Sequence, residues 1–125
     1  MYGYHFTSLL NWENIQLGGL RPGCINVPAI QQACDLDRGI WIFNSPLQEA
    51  CLQKCLNWCH SRYGNDLCEL RVDYLQDDLL TLPNGDVLFC WYGTRQVQWQ
   101  AVILKHMIPP QQLRLTRAWG ASEIS

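Results

Sequence analysis

Leu67-Cys68-Glu69-Leu70-Arg71-Val72-Asp73-Tyr74 alternates with a period of two. Cys68, Leu70, Val72 and Tyr74 fall on one side, and Glu69, Arg71 and Asp73 on the other. An extended chain sends successive side chains to opposite faces, so the pattern predicts a half-buried β-strand with a charged outer face. The preceding residues predict a helix over 46–63. Ser45 is its N-cap, Pro46 its first position and Gln48 the third residue of a capping box, and Gly64 stands where a left-handed C-terminal residue is wanted. After the alternating stretch, 77–82 is ambiguous and Pro83-Asn84-Gly85-Asp86 is turn chemistry. Residues 87–92 then read as a strand, Gly93-Thr94-Arg95 as a turn and 97–104 as another strand. Pro109-Pro110 breaks that strand, and 113–119 reads as a terminal one.

Towards the N-terminus, 2–6 is short and aromatic and suits a first strand. Ser8 offers an N-cap for a helix through about Leu17, and Gly18-Gly19 stops it, with Leu10, Ile15 and Leu20 expected to face inward. Arg21-Pro22-Gly23 opens a loop over 24–38, in which a short helical turn is expected around 29–34. Gly39-Ile40-Trp41-Ile42-Phe43 carries no charge and reads as a buried second strand. The sum is an α+β arrangement of two main helices and about six strands, in one domain over 1–125.

Composition narrows the class. A chain of 125 residues is long enough to bury a core of its own. Hydrophobic residues make up 48% and charged residues 16%, which argues against a disordered chain. A formal net charge of −2 leaves no electrostatic footprint for a nucleic-acid backbone, although Arg114 and Arg117 make the last strand locally basic. No apolar run reaches the ~20 residues that span a bilayer. The first residues lack a charged n-region and an apolar h-region, and the seven cysteines (24, 34, 51, 55, 59, 68 and 90) are odd in number. Both features point to a reduced, cytoplasmic setting.

Three short segments carry the candidate chemistry. His5 and Thr7 leave one face of the first strand; a histidine there serves either a ligand or, as a core or rim residue, a backbone carbonyl. Tyr4-His5-Phe6-Thr7-Ser8, followed by a helix and Gly19-Leu20-Arg21-Pro22, resembles the opening of ADP-ribosyltransferase-type domains, which include tRNA 2′-phosphotransferases and poly(ADP-ribose) polymerases. Gly39-Ile40-Trp41-Ile42-Phe43 is similar to that family's second signature, with Trp41 where a tyrosine stacks on the nicotinamide ring; an indole offers the larger π-face. The alternative for Trp41 is a buried strand aromatic. Gln98-Trp99, followed by Val102-Ile103-Leu104 and Ile108-Pro109-Pro110, resembles the third signature, with Gln98 where the family carries a catalytic glutamate.

The resemblance implies a split antiparallel sheet core and NAD as a substrate. NAD would be held by His5, Thr7, Arg21 and Trp41, and His5, Trp41 and Gln98 would form the catalytic set. It also implies transfer of ADP-ribose to a macromolecular acceptor, a protein rather than nucleic acid, with no membrane partner. The setting implied is that of a toxin or phage effector, acting in the cytoplasm or in a host's. Gln98 departs from the family: an amide makes the hydrogen bond but supplies neither charge nor base. A degenerate module that binds a nucleotide or protein partner therefore stands as the alternative. Arg21, Arg38, Arg95 and Arg117 are candidate pyrophosphate contacts, with a solvated surface role as the default.

Cys51, Cys55 and Cys59 recur every four residues on the second helix, with His60 adjacent. The stripe reads as small hydrophobes packed on the sheet, since structural zinc uses two short knuckles rather than three helical turns; no metal is expected. A zinc-stabilised interaction domain is the competing reading.

Overall fold

The computed structural model describes residues 1–24, 38–87, 90–91 and 99–124. The alternating stretch forms β4 (Leu67–Asp73), and β1 (Tyr2–Ser8) pairs with it along its whole length, from Tyr2↔Asp73 to Ser8↔Leu67. On the other edge of β4 lies β7 (Leu113–Trp119). Beyond β1 come β3 (Arg38–Phe43), β6 (Trp99–Ile103) and β5 (Cys90–Trp91), giving the order β5-β6-β3-β1-β4-β7 with all pairs antiparallel. A two-residue β2 (Gly23–Cys24) pairs with the start of β3. With α1 (Leu9–Gly18) and α2 (Glu49–Tyr63), the described residues form an α+β fold of two helices and a six-strand antiparallel sheet.

The helices cover opposite faces of the sheet. On the α1 side, Ile15 joins Ile40, Ile42, Leu70, Val72 and Ile103 in one core cluster. On the α2 side, Cys55, Leu56 and Cys59 pack with Phe6, Phe43 and Leu67. Phe6 meets Phe43 edge-on at 5.7 Å and stacks on Trp119 at 5.8 Å, which locks β3, β1 and β7 into one layer. Leu10, expected inside, is exposed, while Leu9, Trp12 and Ile15 turn inward. β1 runs through Ser8 straight into α1, so the strand sets the helical phase. Ser8 caps it as expected, its Oγ accepting from the Asn11 N–H at 3.0 Å.

Two expectations fail at the α2 side. β4 is not half-buried: Glu69, on the expected outer face, is 1% exposed because α2 lies over that side. The expected capping box at Ser45 does not form either; α2 starts at Glu49 with Gln48 as N-cap. The chain ahead of the helix is held out of helical geometry by Leu47, which is fully buried in the α2-side core and presents its carbonyl to the guanidinium beside Glu69. The C-terminus of α2 ends as expected on Gly64, at φ 68° and ψ 11°, with its N–H on the His60 carbonyl at 2.7 Å.

Glu69 is satisfied on every side. Arg117 donates from Nε to Oε1 at 3.0 Å and from Nη2 to Oε2, and its Nη2 also reaches the Leu47 carbonyl at 2.9 Å. Thr116 Oγ1 lies 2.8 Å from Glu69 Oε1 and 3.0 Å from the Glu69 carbonyl. The register supplies this: Glu69 faces Arg117 but Leu70 faces Leu115, so Thr116 is the extra residue of a bulge and its hydroxyl folds back onto Glu69.

Arg117→Met is expected to cost about 3–5 kcal/mol in urea denaturation, because it strands a buried carboxylate, whereas the double change with Glu69→Leu recovers most of that loss. Gly64→Ala is expected to cost about 1 kcal/mol by the same measurement, since a Cβ there meets open space and only the left-handed backbone penalises it.

Candidate functional site

The order of strands brings the three signature segments side by side. His5 is on β1, Trp41 on the neighbouring β3, and Trp99 opens β6, which pairs with β3 through Trp41↔Val102. Gln98 and Arg95 lie outside the described residues.

β1 and β3 meet at one register pair, Tyr4↔Phe43, and a side chain extends the seam: His5 Nδ1 lies 2.7 Å from the Trp41 carbonyl oxygen. A carbonyl only accepts, so Nδ1 carries the proton and Nε2 keeps its lone pair. No described residue bonds Nε2. Burial pushes the His5 pKa below its ordinary 6.5, and the bond to Trp41 opposes this only in part. The imidazole is therefore neutral at neutral pH, with Nε2 able to accept a hydrogen bond from a hydroxyl.

The side chains of His5 and Trp41 leave opposite faces of the sheet. Tyr4↔Phe43 puts Trp41 on the α2 side with Phe43 and Tyr4, while His5 shares the α1 side with Ile42. What His5 touches of Trp41 is its backbone. Thr7 leaves the same face as His5 but is 3% exposed, and its Oγ1 accepts from Asn11 Nδ2 at 3.1 Å. That partner was missed in the sequence, although Thr7 and Asn11 stand four residues apart across a strand–helix junction. Arg21 is exposed between α1 and β2. Arg38 is exposed with Nη2 on the Pro22 carbonyl at 3.2 Å, and Arg117 is committed to Glu69 rather than to a phosphate.

Two clefts among the described residues lie elsewhere. One of about 120 Å³ is lined by Asp73, Tyr74, Asp78 and Lys105 among others, with Lys105 Nζ 3.6 Å from Asp78. The other, about 340 Å³ and more open, lies between Leu10, Glu13 and Asn65.

The cysteine stripe is packing. Cys55 and Cys59 are buried under α2 and Cys51 is half-buried. The hydrogen bond that Cys55 shares with Cys59, together with burial, raises the Cys55 thiol pKa. Burial pushes Cys68 up to about 12. Among the described residues no three His, Cys, Asp or Glu side chains are arranged to hold a metal ion.

No family model matches the chain, and neither a curated protein nor a solved structure does. No described helix is long and apolar enough to cross a membrane.

His5 supplies a pH test. Its folded pKa is lowered, so below about 6.5 the unfolded chain takes up the proton first, and the stability it contributes is present above that pH and lost as pH falls through the folded value. An NMR titration is expected to place the His5 midpoint below 6.5, and His5→Gln to remove that part of the acid slope in denaturation.

Proposed function

We propose that the protein is an ADP-ribosyltransferase-like domain that binds NAD at the β1–β3–β6 side of the sheet and transfers ADP-ribose to a macromolecular acceptor, a protein rather than nucleic acid. The observation that carries the reading is the adjacency of β1, β3 and β6, the strands on or beside which the three signature segments fall. The neutral imidazole of His5 adds to it, because an Nε2 lone pair suits a ribose hydroxyl. In the reaction, the bond between the ribose anomeric carbon and the nicotinamide nitrogen breaks and its electron pair leaves with nicotinamide. A lone pair of the acceptor closes on that carbon, and the acceptor's proton goes to solvent. Gln98 would orient the ribose through its amide. The cytoplasm, or a host's cytoplasm for a toxin or phage effector, is the setting proposed.

A second reading, a degenerate domain that binds a nucleotide or protein partner without turnover, draws on two observations. Gln98 lacks the carboxylate, and the His5 and Trp41 side chains leave opposite faces.

Calorimetry with NAD and chromatography of released nicotinamide separate the readings. Saturable NAD heat is expected, weakened about tenfold, or ~1.4 kcal/mol, in His5→Gln. Gln98→Glu is expected to raise nicotinamide release with little change in binding, since a charge beside a developing cation in a water-poor site is worth several kcal/mol at most. Binding without release in either form selects the degenerate reading. Absence of NAD heat ends both the transferase proposal and its NAD site.

A further inference from the structure

We infer that Arg71 and Arg114 form a binding site for a phosphate group on the α2 side of the sheet. The register writes out one row across four strands: Phe43 of β3 faces Tyr4 of β1, Tyr4 faces Arg71 of β4, and Arg71 faces Arg114 of β7. The parallel row Phe6–Glu69–Arg117 lies under α2. Arg114 reaches this face because of the Thr116 bulge. Residues three apart on a regular strand point to opposite sides, but the extra residue returns Arg114 and Arg117 to the same one.

Arg71 and Arg114 are cross-strand partners on one face, and like charges at such a pair of positions destabilise a sheet. Among the described residues the Tyr2 ring offsets part of that repulsion at Arg71, and no carboxylate adds to this relief. Glu69 is taken by Arg117, and Asp73, two residues along β4, stands 3.7 Å from the Met1 ammonium group. Neither Arg71 nor Arg114 lies within salt-bridge distance of a carboxylate among the described residues. Arg71 is held in place: its guanidinium carbon sits 4.2 Å from the centroid of the Tyr2 ring, and the residue is half-buried. Arg114 is exposed, and the half-buried Tyr4 in the same row adds a phenol. Two planar donor forks on neighbouring strands of one face, neither paired with a described carboxylate, suit an anion with several oxygens and two charges. A phosphate monoester, or the free phosphate anion, has that chemistry.

The site differs from the NAD reading in its residues and stands without it. The test is a titration of the full chain with inorganic phosphate, followed by ¹⁵N NMR at ionic strength held constant with sodium chloride, and repeated with adenosine monophosphate. Saturable shifts at Tyr2, Tyr4, Arg71 and Arg114 are expected. Arg114→Gln should weaken them about tenfold or more, the loss of charge-assisted bonds to a dianion. It should also leave the phosphate-free protein at least as stable, because a repulsion is removed. Arg38→Gln should leave binding unchanged. Tighter binding of the nucleotide assigns the site to a phosphorylated nucleoside, and equal binding assigns it to the phosphate group alone. A response to phosphate no larger than that to chloride, or one that survives Arg114→Gln, overturns the site.

Discussion

Glu69 sits 1% exposed in the middle of β4, between two paired strands and beneath a helix, where an unpaired carboxylate costs several kcal/mol. A carboxylate there demands donors, and the chain is arranged to bring them. β7 must lie in the register that sets Arg117 opposite Glu69, and the bulge must release the Thr116 hydroxyl onto the same oxygen. The segment ahead of α2 must stay extended so that the Leu47 carbonyl takes up the spare guanidinium N–H. One buried charge thereby fixes the edge strand, delays the helix and, through the bulge, decides which face Arg114 shares.

The opposite side of β1 is built on a different principle. The β1–β4 ladder runs over seven residue pairs, whereas β1 and β3 share a single register pair and a histidine. At Gly3 the Ile42 side chain fills the space of a Cβ, which would lie 2.6 Å from Ile42 Cδ1, so a larger residue there requires Ile42 to shift. Two residues on, the His5 ring reaches across to the Trp41 carbonyl. A seam closed by an imidazole places a titratable group where a backbone N–H would otherwise serve, and burial keeps that group neutral. This leaves the strand junction an Nε2 acceptor as well as a structural bond.

Much of the fold was legible because it is written in local chemistry. The presence of strands at β1, β4 and β7, the Ser8 cap and the Gly64 terminus each depend on a few neighbouring residues, and each stands as read. What misled was local chemistry overruled from a distance. Ser45-Pro46 with Gln48 is a sound helix start by its own residues, yet burying Leu47 outweighs it. Glu69, Arg71 and Asp73 look like a solvated face, and only the position of α2 separates the dry one from the others. For the candidate site, the His5 bond to a backbone carbonyl was one of two readings open in the sequence, but its partner, 36 residues away, was not.

By itself, then, the sequence determined the α+β class, the two helices and the main strands, and the side of β4 that meets the α1-side core, because alternation, caps and turn residues act within a few bonds. Tertiary structure decided which strands are neighbours, and so that β1, β3 and β6 are adjacent, that the His5 and Trp41 side chains part to opposite faces, and that Arg71 and Arg114 stand side by side. Those outcomes depend on the register of strands distant in the chain and on a one-residue bulge. With a side-chain period of two, a slip of one residue reverses every face, and no short-range pattern in the chain records it.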